Sequence, residues 1–165
     1  MKKAFTLIEL LITMVVMAAV TGVFAWALFA GFDTWVSGKN RADLFQSADR
    51  AIETMVRWIS QATSITAATA SSITFTADID GDVTIETVTF AVSGTNLQRT
   101  VGTSTVTMVP NTQSLGLIYT NTADTVIVPA NQTDRDTIHI VTPTLTISLE
   151  GETDTLSSSV FCRNR

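Results

Sequence analysis

The chain begins with a long apolar run. From Phe5 to Ala30 the residues are almost all hydrophobic, and Glu9 is their one charge. A helix over this run would be ~39 Å long at about 1.5 Å per residue, enough to cross a hydrocarbon core of ~30 Å. Lys2 and Lys3 precede the run, and the next basic residue is Lys39. We therefore predict one membrane span, with a cytoplasmic N-terminus and the remainder outside.

A second pattern follows between Ala42 and Ala62, where apolar residues recur every three or four positions. These residues are Leu44, Ala48, Ile52, Met55 and Ile59. This spacing places them along one stripe of a helix, with the charged residues on the other faces. We predict that residues 31–62 continue the helix as an amphipathic half whose stripe packs on an apolar surface.

Beyond residue 62 the pattern becomes an alternation of β-branched and polar residues, which is typical of strands. Residues 63–72 are interpreted as a Thr/Ala/Ser connector. Strands are predicted over 72–76, 83–86, 88–92, 97–101, 105–109, 115–120, 125–128, 137–141, 145–149 and 155–161, with Pro110, Pro129 and Pro143 at or between them. The predicted fold is α+β: a long N-terminal helix, half membrane-spanning and half amphipathic, packed on an antiparallel β-sheet head over residues 63–165.

The apolar run has two simpler interpretations. An ordinary secretory signal peptide, with a cleavage site at Val23-Phe24-Ala25, would release a β-rich adhesin or binding module that begins at Trp26. A plain single-span anchor would instead keep such a module on the membrane. Neither interpretation explains Glu9, because a carboxylate inside an apolar span costs on the order of 2–3 kcal/mol at mid-membrane and usually marks function.

The segment from Lys2 to Ile12 reads KKAFTLIELLI and resembles the prepilin signature, a short basic leader followed by F-T-L-I-E-L-L. In that family a membrane prepilin peptidase cuts immediately before the Phe and methylates the new amine. The resemblance implies processing between Ala4 and Phe5, so that residues 1–4 are the leader and 5–30 the transmembrane and filament-core helix. Ala4 stands where the family nearly always has Gly.

The resemblance also gives Glu9 a role. In pilins this carboxylate is thought to meet the N-terminal amine of a neighbouring subunit, which sets axial register during assembly. The amine of a processed Phe5 and the carboxylate of Glu9 are each costly alone in lipid and less costly as a pair. Phe5 and Glu9 are therefore the predicted assembly residues.

The order of features in the head is similar to that of the J-type minor pseudopilins of type II secretion and the W-type minor pilins of type IV pili. The shared pieces are a Ser-Ile-Thr-Phe strand at 72–75, an Asp-Ile-Asp-Gly-Asp turn at 78–82, Glu86–Phe90, Asn96–Thr100 and a closing Leu156–Val160 with Arg163 and Asn164. The likeness implies a minor subunit that primes or caps a filament in one or a few copies. Its implied partners are other pilin or pseudopilin subunits, the prepilin peptidase, the inner-membrane assembly platform and the membrane. Its implied route runs from the inner membrane to a periplasmic or extracellular filament.

The densest acidic cluster is a candidate metal site. Asp78, Asp80 and Asp82 alternate around Gly81, and Glu86 follows. Hard oxygen ligands at alternate positions around a turn suit Ca²⁺, although the segment is shorter than an EF-hand loop. The competing interpretation is a solvated hairpin turn, because Asp and Gly are common turn formers. Both interpretations stay open at this point, and no other cofactor is expected.

Composition argues against other functions. The chain has 15 acidic and 10 basic residues, and clustered Lys and Arg for direct nucleic-acid binding are lacking. The single Cys162 cannot form an internal disulfide. His139, the only histidine, lies in a predicted strand without a neighbouring nucleophile in the sequence. We therefore expect a structural subunit and not an enzyme.

Overall fold

The computed structural model describes residues 6–162. Its elements are the helices α1 (Leu7–Ser60) and α2 (Gln132–Asp136) and the strands β1 (Ser64–Ala68), β2 (Ser72–Ala77), β3 (Glu86–Ser93), β4 (Asn96–Val101), β5 (Ser104–Val109), β6 (Thr112–Asn121), β7 (Val126–Ile127), β8 (Ile138–Leu149), β9 (Glu152–Ser157) and β10 (Val160–Phe161). The chain divides into two compact units between Ala42 and Asp43. The first unit contains the N-terminal part of α1, and the second contains the rest of α1 and all the strands.

The part of α1 in the first unit exposes its apolar side chains along its length. Leu11, Phe24 and Trp35 are examples, each more than half exposed. The helix is long and apolar enough to cross a membrane, judged by length and composition. An unpartnered apolar surface of this kind is stable in lipid or against other apolar helices.

In the second unit α1 packs on antiparallel sheets, which confirms the predicted α+β fold. All five predicted stripe residues of α1 are buried, and Ala51 and Trp58 join them. The helix ends at Ser60 and not at residue 62, because the N–H groups of Gln61 and Ala62 donate to carbonyls three residues back, at Trp58 and Ile59. This tighter turn closes the helix.

The strands form two sheets. The first has the order β1-β2-β3-β4-β5, and the second has the order β10-β8-β6-β7 with β9 paired to β8. Backbone hydrogen bonds join the two sheets, from the Thr112 N–H to the Thr95 carbonyl (2.9 Å) and from the Leu117 N–H to the Ala70 carbonyl (2.8 Å). Phe75 and Phe90 stack at the centre of the core, with ring centroids 6.0 Å apart.

The predicted connector over 63–72 is wrong, because β1 occupies Ser64–Ala68. This strand pairs with β2, and Ile65 lies opposite Phe75 in the core. A bulge between Ile65 and Ala67 breaks its alternation. Since one bulged residue shifts the pattern, the inward-facing residues do not recur at every second position and the strand escapes a pattern search.

The predicted strand over 83–86 is also wrong, because residues 83–85 lie in the loop between β2 and β3. Val83 adopts a positive φ of 72° and is 87% exposed. The backbone N–H groups of Val83 and Thr84 donate to the carboxylates of Asp78 and Asp82, at 3.1 and 2.7 Å. Side chains thus take the bonds that a partner strand would have taken.

A third correction concerns Pro143, which lies inside the continuous strand β8 and not between two strands. On one side Pro143 lies opposite Leu117, whose N–H bonds to Ala70 instead. On the other side its carbonyl accepts from the Ser158 N–H at 3.2 Å, at the break between β9 and β10. The missing N–H of proline therefore falls where the neighbouring strand is interrupted, so β8 loses no ladder bond there.

Tyr119 links the two sheets and provides a test of the packing. Its hydroxyl donates to the Thr69 carbonyl (2.8 Å) and lies 3.3 Å from the Ser72 carbonyl. Burial of the ring raises the pKa of Tyr119 far above its usual value of about 10. Because the folded state favours the neutral phenol, this contribution to stability is complete below about pH 10 and is lost at higher pH.

We predict that the folded protein shows no tyrosinate absorbance when the pH is raised through 10, and that tyrosinate forms only as the protein unfolds. The chain has a single tyrosine, so the signal has one source. Tyr119→Phe is expected to lower the free energy of unfolding by about 1 kcal/mol near neutral pH, because the Thr69 carbonyl loses its donor. Titration near pH 10 with native circular dichroism would contradict the buried position.

Candidate functional sites at the helix start and the acidic loop

The start of α1 is a capping box formed by Thr6 and Glu9. The Thr6 backbone N–H and hydroxyl donate to the Glu9 Oε2, at 3.0 and 2.9 Å. The Glu9 backbone N–H donates in return to the Thr6 Oγ1 at 3.4 Å. Two backbone donors that the first turn leaves without helical partners are satisfied in this way.

This geometry places Glu9 in a defined orientation at the helix start. Its carboxylate accepts two bonds from Thr6, both at Oε2, and within residues 6–162 no hydrogen bond engages Oε1. Glu9 is exposed along with the residues that follow it. The carboxylate is thus held by its own helix and still has an oxygen for a donor from another molecule.

No functional role was predicted for Thr6 from the sequence. The signal was present, since a Thr followed three positions later by Glu before an apolar run is a capping box. Ala4 and Phe5, the predicted processing residues, lie outside the described residues, as do Arg163 and Asn164. The predicted pairing of Glu9 with the Phe5 amine therefore stays a prediction.

The loop between β2 and β3 brings three of the four predicted metal ligands together. One carboxylate oxygen each from Asp78, Asp80 and Glu86 lies within 4.8 Å of the other two. Two oxygens bound to one Ca²⁺ at 2.3–2.6 Å are at most about 5 Å apart, so this spacing fits the ion. Asp82 lies outside the group.

The same carboxylates also build the turn. Asp78 accepts hydrogen bonds from the N–H groups of Gly81 (2.7 Å) and Val83 (3.1 Å). Asp80 accepts from the Asp82 N–H (3.2 Å), and Glu86 accepts from the Ile79 N–H (3.2 Å). These bonds fix the carboxylates with their oxygens converging, which serves both interpretations, the hydrogen-bonded turn and the metal site.

Asp82 has a different role in this loop. Its Oδ1 accepts the Thr84 N–H at 2.7 Å. This bond, with a second from the Thr84 side chain, lowers the pKa of Asp82 below its usual value. Asp82 is therefore a charged residue that holds the loop backbone, while the other three acids form the candidate metal site.

The remaining singled-out residues are structural in character. The imidazole of His139 contacts the ring of Phe161 edge to face, with centroids 5.4 Å apart. Cys162 is buried, and its N–H donates to the His139 carbonyl at 3.0 Å. His139 lies in β8, and Cys162 directly follows the short partner strand β10.

Comparison with known proteins adds evidence at the N-terminus. Residues 1–25 match the family model of the prokaryotic N-terminal methylation motif. No curated protein matches the sequence. The matched residues include Thr6 and Glu9, so the capping box lies within the motif.

Together with the α+β fold, the motif points to a structural subunit and not an enzyme, and to processing by a prepilin peptidase and assembly with other pilin subunits. The motif and the membrane-compatible helix behind it support a type IV pilin-like prepilin, anchored by a single span.

Proposed function

We propose that the chain is a minor pilin or pseudopilin that primes or caps a type IV filament, either a pilus or a type II secretion pseudopilus. The observation that carries the proposal is the methylation motif over residues 1–25, followed by one long helix that is apolar at its start and packs on a β-rich head at its end. A subunit of this kind enters the inner membrane with its head outside. The assembly platform then extracts it, and apolar contacts with other helices replace lipid.

A minor role makes a specific prediction about copy number. Filaments purified from the producing cells should contain one or a few copies of this chain, labelled at the tip by an antibody against the head. Deletion of the gene should lower the number of filaments much more than their mean length, because priming acts before elongation. Label along the entire filament, or normal filament numbers in the deletion strain, would contradict the minor role.

We further propose that the loop between β2 and β3 binds Ca²⁺ through Asp78, Asp80 and Glu86. The proposal is supported by the convergence of their oxygens within 4.8 Å. Ca²⁺ takes six to eight oxygens. Three carboxylates supply at most six of them, so solvent and backbone carbonyls are expected to complete the set.

We predict that full-length protein in detergent binds Ca²⁺ with measurable heat and gains thermal stability in its presence. Asp80→Asn is expected to remove both effects. Asp82→Asn is the matched control in the same loop and should retain binding, because Asp82 lies outside the converging group. Calorimetry with no heat and no shift of Tm would leave the loop as a hydrogen-bonded turn.

A further inference from the structure

A small polar pocket lies between α1 and the strands β4 and β5, on the head. Its volume is about 210 Å³, and its polar lining comes from Ser47, Arg50, Thr54, Arg99 and Thr107. We call it the arginine pocket. No Asp or Glu of the described residues lines it, although the chain as a whole carries a formal charge of −5. The pocket is thus a positive site on an acidic protein.

Arg99 occupies an unusual position for a charged residue. It lies directly opposite Phe90 on β3 and Val106 on β5, on the face of the sheet that carries the buried Phe90 and Leu97. Its guanidinium carbon lies 4.5 Å from the ring centroid of Trp58 on α1. The stacking fixes the plane of the guanidinium and partly compensates for its removal from water.

The stacking leaves one donor of Arg99 unsatisfied. Its Nε is buried and has no hydrogen-bond partner. Buried donors without a partner are rare in native proteins, and each calls for an explanation. Here the buried Nε lies out of reach of solvent, so what a ligand meets in the pocket is the positive charge of Arg99 together with that of Arg50 on the helix.

The chemistry of the pocket selects its ligand. A planar guanidinium suits an anion with two oxygens, and the Thr107 hydroxyl offers a further donor. The hydroxyls of Ser47 and Thr54 already donate to the carbonyls of Asp43 and Arg50. The volume is below the roughly 300–1,000 Å³ of pockets for drug-sized ligands. A single carboxylate group on a short side chain matches both the charge and the size.

We infer that the arginine pocket binds the carboxylate of an Asp or Glu side chain on a neighbouring subunit of the filament. The inference rests on the proposed function, since only a filament places a second head permanently beside this one. β5 lies at one end of its sheet among the described strands and lines the pocket through Val106 and Thr107. A neighbouring chain can therefore approach the pocket without displacing any strand.

The test uses full-length protein in detergent, labelled with isotope-enriched arginine so that the side-chain Nε–H signals are visible by NMR. The probe is glutamate capped at both ends, and the control probe is capped glutamine, which has the same shape without the charge. The Nε–H signal of Arg99 should shift saturably with the first probe and remain unchanged with the second. Arg57, exposed on the same helix, serves as the internal reference and should not shift.

Substitutions make the assignment specific. Arg99→Lys keeps the charge and loses the planar fork, and Arg50→Gln removes the second charge while altering only an exposed residue. Each is expected to weaken the apparent affinity for capped glutamate by roughly tenfold or more, whereas Arg57→Gln leaves it unchanged. No saturable shift at Arg99, or an equal shift at Arg57, would overturn the inference. Binding of inorganic phosphate without binding of capped glutamate would overturn the assignment to a carboxylate.

A second readout in cells separates this inference from the proposed function. Arg50→Gln should lower the amount of the chain recovered in filaments, while the mature chain keeps the same N-terminus as the unmodified protein. Normal recovery of Arg50→Gln in filaments would overturn the pocket's role alone. A chain that never enters filaments would instead overturn the proposed function, whatever the pocket binds in detergent.

Discussion

Replacing Glu9 with Ala is expected to leave the chain in the membrane and to lower its incorporation into filaments by about a hundredfold. Insertion should persist because the substitution removes a charge from an apolar span. Assembly should fail because the amine of the neighbouring subunit would be buried in the filament core without its partner, and breaking a buried ion pair on one side costs roughly 3–5 kcal/mol. Membrane and filament fractions, compared by quantitative blotting, give the ratio directly.

Two further variants separate the proposed pairing of charges from the observed capping box. Glu9→Gln retains the capping geometry, since Gln serves at this position of a capping box, but it removes the charge. Thr6→Ala removes the cap, at a cost of about 0.5–2 kcal/mol of helix stability, and retains the charge. We expect Glu9→Gln to assemble as poorly as Glu9→Ala, and Thr6→Ala to assemble nearly normally.

The opposite result for these two variants would assign a different role to Glu9. If Thr6→Ala prevented assembly while Glu9→Gln assembled normally, the function of Glu9 would be to hold the first turn of α1 through its bonds to Thr6. Normal incorporation of Glu9→Ala would exclude both roles. Each variant therefore has an informative result, because the two contributions of Glu9 are changed one at a time.

The helical half of the fold could be predicted from the sequence because its signals are local. An apolar run needs only its own composition to be recognised. The stripe from Leu44 to Ile59 follows the period of a helix without interruption, and all five of its predicted residues are buried. The spacing of these apolar residues predicts their burial correctly because a single regular helix packs on a single apolar surface.

The strands were predicted less completely because their limits depend on partners distant in the chain. The bulge in β1 hides its alternation, and Pro143 is tolerated because the neighbouring strand is interrupted beside it. Residues 83–85 have the composition of a strand, but the carboxylates of Asp78 and Asp82 capture their backbone. The bulge and the interrupted strand depend on residues distant in the chain. The bonds from Val83 and Thr84 to the two aspartates are local, but they depend on side-chain geometry that an alternating pattern does not show.

The candidate sites also differ in whether their residues are close together in the sequence. The acidic loop was predicted because its residues are adjacent in sequence, and the structure adds that Asp82 stands apart from the other three acids. The arginine pocket was missed, since Arg50 and Arg99 come from different elements and only the packing of β4 against α1 unites them. A lone arginine in a strand gives no signal of this kind in the sequence.

Processing at the N-terminus is the second prediction with a large effect. The prepilin peptidase should remove residues 1–4 and methylate the new amine at Phe5, so the mature chain keeps the apolar helix. Phe5→Ala at the new N-terminus changes the residue next to the cut, whereas Leu7→Ala changes an exposed apolar residue two positions further along. We expect processing to be impaired much more by the first substitution than by the second.

The central claim is that this chain retains its N-terminal helix as an assembly element, with Glu9 placed to pair with a new amine at Phe5. The most direct test is to purify the mature protein from its producing cells, measure its mass and sequence it from its N-terminus. The account predicts a chain that begins at Phe5 and carries one added methyl group on its amine. A chain that begins at Trp26, cut by a general signal peptidase, would contradict it.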